Sequence, residues 1–308
     1  MKHVRKLLPL LFAILALLVI FRLCVPRFLN PDNLLDLAQQ ICVNAILAYG
    51  MTLIILIGGI DLSVGAVVAV VGTVTVAILL QAGLVAGLLA GLATAMLFGV
   101  INGVCAAKTR MPPFIITLAT MLIARGAALR FNEGRPLPVP DTQTFFLALG
   151  NARLFGVLPV QVLLMLAAFA GTAVLLHRTR FGQHLYAIGG NREAARFTGI
   201  PIVRNEIIVY VIGALLAGLA GIIHASQLYS AEPASGQGFE LNAIAAVVVG
   251  GTSFTGGIGT MPGTLVGAII IGILDKGLNQ AGVHFSLQYI VKGLVIMGAV
   301  YLDVRRRK

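Results

Sequence analysis

Tryptophan is absent from this chain, aromatic residues make up only 7% of it, and charged residues only 11%. The low charge excludes an ordinary soluble domain, in which about a quarter of the residues are charged. The lack of tryptophan removes the best material for stacking platforms that hold flat ligands tightly, so any solute path here has polar, weakly binding walls. The three cysteines, Cys24, Cys42 and Cys105, lie scattered in apolar sequence with no C-x-x-C pair, which argues against a disulfide framework and against a thiolate metal site. No G-x-x-x-x-G-K-[ST] phosphate loop occurs, so the chain does not bind ATP by that route. Nor is there an H-E-x-x-H or D-D-x-x-D set, and the dispersed histidines His177, His184, His224 and His284 offer no converging catalytic group.

What the chain does have is apolar sequence: 58% of its residues are hydrophobic and the mean hydropathy is +0.98. This predicts an all-α polytopic membrane protein of about ten spans, near residues 7–21, 41–57, 64–80, 84–106, 113–129, 156–176, 207–226, 242–257, 264–280 and 287–302. The first follows the basic run Met1–Lys6 but lacks a small-residue cleavage site, and reads as a retained span. The net charge of +11 would suggest nucleic acid in a soluble protein; here the basic residues flank apolar segments, as orientation signals do, and nucleic-acid binding is rejected. With both termini in the cytoplasm, Lys108, Arg110, the arginines of 177–206 and the terminal Arg305-Arg306-Arg307-Lys308 share one side. Residues 131–155, with Pro136, Pro138 and Pro140, then form an extended excursion on the other side, either a solvated loop or a docking surface.

The most telling interruption is Gly58-Gly59-Ile60-Asp61-Leu62-Ser63, where glycines, a carboxylate and a hydroxyl break apolar sequence. Non-helical backbone and ionisable groups persist in a bilayer only where protein or a water-filled cavity surrounds them, which marks a transport path rather than an anchor. Asp61 and Ser63 suit the hydroxyls of a polyhydroxylated solute; equally, Asp61 caps the helix that begins near Leu62, and the two roles are compatible. Gly250-Gly251-Thr252-Ser253 forms a second break that could face the first. Asn44 and Asn102 lie inside spans, where an amide needs a partner, either across helices or in the path.

The other informative segment is the basic, polar stretch 177–206. Within it Asn191 reads as an N-cap, Glu193 complements the first-turn dipole, and Gly199 followed by Pro201 stops the helix. So short a helix needs a surface to pack on. Arg192, Glu193 and Arg196 leave the compact Ala194/Ala195 face free to approach another protein, or the helix lies on anionic lipid.

Here the chain resembles a known family. Glu193-Ala194-Ala195 with Gly199 is similar to the E-A-A-x-x-x-G coupling loop of ABC importer permeases. The runs Gly58–Gly65, Thr179–Gly182, Ala187–Asn191, Pro112–Ile115 with Thr117-Leu118, and Ala243–Ser253 resemble the ribose-type sugar permeases, nearly throughout the chain after the first span. The resemblance implies a single transmembrane domain over residues 1–308 with a cytoplasmic coupling segment at 177–206, multi-pass in a bacterial inner membrane. It implies import of a monosaccharide handed over by a periplasmic binding protein. ABC ATPase subunits carry the ATP and Mg²⁺, this chain binds no cofactor, and a second permease copy or paralogue completes the path. On this reading Gly58, Gly59, Asp61, Ser63, Asn44, Asn102 and Gly250–Ser253 line the path, while Arg192, Glu193, Ala194, Ala195, Arg196 and Gly199 meet the ATPase. The chain departs from the family pattern at Leu287, before Gln288, and at Asp275-Lys276-Gly277, through substrate tuning or drift at a helix end. The competing expectation is an ion-coupled secondary transporter with Asp61 or Asp275 holding Na⁺ or H⁺ at a broken helix.

Overall fold

Apolar runs punctuated by proline, glycine and short polar turns set the helices of this computed structural model, which describes residues 2–305. Helices α1 (Lys2–Cys24), α2 (Pro31–Leu56), α3 (Val64–Ala82), α4 (Leu84–Lys108) and α5 (Pro113–Arg130) lead into a connection that holds the short helix α6 (Thr144–Asn151). Helix α7 (Val160–Arg178) is followed by α8 (Arg180–Gly190) and α9 (Arg192–Phe197). Then come α10 (Ile202–Gln227), α11 (Phe239–Val249), α12 (Met261–Gln280) and α13 (Phe285–Arg305). Seven of these, α2, α3, α4, α5, α7, α10 and α12, are long and apolar enough to cross a bilayer. Helices α1 and α13 run for 23 and 21 residues and carry the apolar stretches Leu8–Cys24 and Phe285–Gly298.

Helix α2 is the axis of the bundle. From Ala45 to Leu56 every residue is buried, and it packs against α7, α10, α11 and α12. In lipid, burying apolar surface gains nothing over facing acyl chains, so such helices associate through close van der Waals packing at small residues. Gly50 meets the Gly213 backbone of α10, Gly99 and Gly103 of α4 meet Val211 and Ile207 of α10, and Gly221 of α10 rests on Val68 of α3. The bundle's rim is greasy where no helix covers it: Phe12 and Leu15 on α1, Val85 and Leu89 on α4, Leu122 and Ile123 on α5, and Ile290 and Leu294 on α13 are exposed.

Three expectations need correction. The span at 242–257 is only the 11-residue α11, about 16 Å of a core that is about 30 Å thick. It enters the bundle and stops, and the chain turns back through α12. The excursion at 131–155 is neither loose nor extended throughout. Strand β1 (Leu137–Pro138) pairs antiparallel with β4 (Ser230–Ala231), and α6 buries Phe146 and Leu147. A second small hairpin, β2 (Arg153–Leu154) with β3 (Leu158–Pro159), leads into α7. Segment 177–206 holds two helices where one was expected. The terminal Arg306-Arg307-Lys308 of the charge argument lies outside the described residues.

Candidate functional site

Both expected breaks are built by one device. Gly58, with φ +81°, donates to the Ile55 carbonyl at 2.9 Å and Gly59 donates to the Ile54 carbonyl at 2.9 Å. That is a Schellman cap, in which the left-handed residue is a glycine because it lacks a Cβ. At the end of α11, Gly251, with φ +90°, donates to Val248 and Thr252 donates to Val247 at 2.9 and 3.1 Å. The two stops meet: the Leu56 carbonyl, left over at the end of α2, accepts from the Gly257 amide at 2.8 Å. Gly250 packs on the Gly263 backbone at the start of α12.

Just beyond the first stop, Asp61, Ser63 and Asn102 converge. Asp61 Oδ1 accepts from the Ser63 amide at 2.8 Å and from Ser63 Oγ at 2.6 Å, holding the turn into α3. Asn102 Nδ2 reaches across from α4 to Ser63 Oγ at 2.9 Å and to Asp61 Oδ2 at 3.5 Å. Thr117 of α5 clasps the same turn, accepting from the Leu62 amide and donating to the Ile60 carbonyl. Asp61 is 1% exposed, so the carboxylate is a sealed bracket between α3 and α4.

Helix α8 sits on the junction of the two stops. Gly189 lies so close to the Leu56 carbonyl and the Gly257 amide that a Cβ there would collide with both, and Tyr186 donates its hydroxyl to the Gly259 carbonyl at 2.7 Å. Burial raises the Tyr186 pKa. Helix α9 follows with the expected ends, Asn191 Oδ1 accepting from the Ala194 amide at 2.9 Å and Gly199 closing it at φ +79°. The Arg192 guanidinium is clamped on both carboxylate oxygens of Glu206 at the start of α10, and this hydrogen bonding raises its pKa. The free face differs from the sequence expectation. Ala195 turns inward at 3% exposure, while Glu193, Ala194 and Arg196 stay exposed together with Phe197, which is 87% exposed. Arg192, Glu193, Arg196 and Arg204 rim a groove of about 870 Å³ floored by Ile200 and Ile207.

At the opposite end of the bundle lies a cavity of about 460 Å³. Its walls come from five helices: Gln40 and Asn44 from α2, Gln227 from α10, Asn242 from α11, Asp275 and Asn279 from α12, and Gln288 with Lys292 from α13. Phe239 and Tyr289 supply ring surface. Lys292 Nζ pairs with Asp275 Oδ1 at 3.0 Å, and Asn242 Nδ2 donates to Asp275 Oδ2 at 3.3 Å. Asn44 Oδ1 is buried without a partner. Of the path residues expected from sequence, Asn44 lines this cavity, while Asp61, Ser63 and Asn102 form the bracket and Gly250–Ser253 the second stop. Sequence reasoning missed Gln40, Gln227, Asn242, Asn279, Gln288 and Lys292; the available signal, for all but Lys292, was the recurrence of amides in and just beside apolar spans. Such a wall exchanges hydrogen bonds with a small polar solute. Among the described residues no group of three or more His, Cys, Asp or Glu side chains stands close enough to hold a metal ion.

Residues 33–300 match the family described as branched-chain amino acid transport system / permease component. The chain is 44% identical to the ribose import permease protein RbsC of Bacillus subtilis (strain 168) over 292 residues, covering 94% of this chain and 90% of that one. It is 44% identical to RbsC of Escherichia coli (strain K12) over 96% of this chain and 93% of that one. The L-arabinose transport system permease protein AraH of the same strain is 37% identical over 94% of this chain and 89% of its own.

Proposed function

The chain belongs to the ABC-importer permease family that includes the ribose permeases, and from that membership we propose that it passes a neutral pentose or hexose through the amide-walled cavity. It is a multi-pass inner-membrane permease subunit of an ABC sugar importer, and not an enzyme. The observation that carries the finer reading is the cavity: amides from α2, α10, α11, α12 and α13 converge on a space of about 460 Å³. Carboxamides both donate and accept, as sugar hydroxyls do, so they match a polyol in many orientations without holding it tightly.

The division of the molecule supports a direction. The cavity opens at the end formed by the start of α2 and the ends of α10 and α12, where a periplasmic binding protein would deliver the sugar. Helices α8 and α9 stand at the opposite end, at the end of α2 and the start of α10. There α9 presents Glu193, Arg196 and Phe197 to an ATPase partner, which carries ATP and Mg²⁺, with both chain termini on that cytoplasmic side. One chain offers one such helix, so two permease copies serve two ATPase sites. Residues 1–308 act as one transmembrane domain, and the coupling segment moves with the helix stops it touches.

The deciding measurement is uptake of labelled pentoses and hexoses into proteoliposomes holding this chain, with and without its ATPase, the binding protein and internal ATP. Uptake only by the complete, ATP-loaded assembly is expected. Uptake by this chain alone down an ion gradient would replace this reading with a secondary transporter.

A further inference from the structure

We propose that the Asp275–Lys292 ion pair is the element of the cavity that reads the solute, selecting a neutral sugar with an intact pair of adjacent hydroxyls. The inference rests on the monosaccharide reading above.

The pair joins α12 to α13, and both residues line the cavity, with side chains 14% and 22% exposed. A charge within membrane-spanning sequence is costly and persists where it faces a partner or a water-filled space. These two have both. An ionised carboxylate offers about four lone-pair sites and an ammonium about three protons. Asp275 gives one oxygen to Lys292 and the other to Asn242, and Lys292 meets Asp275 and approaches the Tyr289 ring, 6.0 Å from its centroid. Asp275 Oδ1, beside Lys292, is buried with lone pairs unused, and Lys292 keeps protons that Asp275 does not take. Asn44, which also lines the cavity, has a buried Oδ1 acceptor with no partner.

Adjacent hydroxyls fill this arrangement because each both donates and accepts. One donates to Asp275 and accepts from Lys292, and its neighbour donates to the other carboxylate oxygen or to Asn44. The pair is neutral as a unit. A uronic acid brings a second carboxylate beside Asp275, an amino sugar a second cation beside Lys292, and a deoxy sugar leaves a desolvated charge-pair atom unpaired. Sites built to bind a hydroxyl reject the analogue without it far more strongly than apolar pockets reject a missing methylene.

The test uses the complete importer in ATP-loaded proteoliposomes at saturating binding protein, so that delivery is not limiting. Uptake of D-ribose is compared with that of 2-deoxy-D-ribose and D-glucuronate. Two variants accompany the wild type: the charge swap Asp275→Lys/Lys292→Asp, which keeps the pair but exchanges acceptor and donor, and the neutral Asp275→Asn/Lys292→Met. Assembly is followed by size exclusion. The wild type should favour ribose over both analogues, and in either assembled variant that preference should fall by about tenfold or more. An assembled swap with the wild-type preference would show that the pair only joins two helices and would overturn the proposal. Failure of both variants to assemble would overturn it likewise, as would equal uptake of all three sugars by the wild type. Wild-type uptake of no monosaccharide would instead sink the reading on which the proposal rests.

Discussion

Asp61 was conspicuous in the sequence because a carboxylate beside two glycines stands out in an apolar run, and either of its two expected roles accounts for that. The geometry favours a structural role, though not the N-cap itself, which is Ser63. Asp61 accepts from the Ser63 amide and hydroxyl in the turn before α3, both its oxygens are engaged, and the residue is sealed from the cavity. Replacing it by alanine strands the Ser63 amide and deprives Asn102 of one acceptor in a dry setting. Unsatisfied buried groups cost about 1–3 kcal/mol each. The expected outcome for Asp61→Ala is a lower melting temperature in detergent and lower membrane abundance, with Asp61→Asn milder because it keeps an acceptor for Ser63. An unchanged melt alongside lost uptake would return Asp61 to the solute path. The cavity's residues were illegible for the opposite reason. Gln40 and Gln227 merely border predicted spans and Gln288 is a single tolerable amide inside one, and only the fold brings α2, α10 and α13 around one space. The departure from the family pattern at Asp275 falls on that same wall, which favours substrate tuning over drift.

Among the elements, periodicity and hydropathy located nearly all the helices but misjudged α11, because Ala243–Val249 is as apolar as a full span and hydropathy does not register where the chain turns back. The glycine break at Gly250-Gly251 was visible, but a break suits a span that resumes as well as one that ends; that the chain turns back there is set by packing on α12, a tertiary fact. Helix α9 was legible to its caps, since Asn191 and Gly199 act locally; α8 was not, although it is the piece that touches the helix stops. That contact makes α8 a lever between α9 and the ends of α2 and α11. Gly189→Ala drives a methyl into the Leu56 carbonyl and should cut sugar uptake at least tenfold, with ATP hydrolysis falling far less. Tyr186→Phe, which removes one hydrogen bond worth about 1 kcal/mol, should do so mildly. Equal loss of hydrolysis and uptake in Gly189→Ala would mean that the assembly fails to form rather than to couple. Glu193→Lys sits on the exposed face of α9 and should leave the permease's melt unchanged while abolishing sugar-stimulated ATPase activity; preserved stimulation would remove Glu193 from the contact.

For the molecule as a whole, the remaining question is which end faces the cell interior, and the chain carries its own probes. Cys24 is exposed at the end of α1, beside the start of α2 and thus at the cavity end. Cys105 is partly exposed in the last turn of α4, next to the start of α10 and thus at the α9 end, and Cys42 is buried in α2. The basic residues Lys108, Arg110, Arg192, Arg196 and Arg204 gather at the Cys105 end, and positive charge in short loops is retained in the cytoplasm. A membrane-impermeant maleimide added to spheroplasts should therefore modify Cys24 and spare Cys105, and the order should reverse in inside-out vesicles. Cys42 should stay unmodified in both until the protein is unfolded, which makes it the internal control. Labelling of Cys105 from outside would invert the molecule, placing the cavity toward the cytoplasm and α9 out of an ATPase's reach, so the import direction and the coupling assignment would fall together.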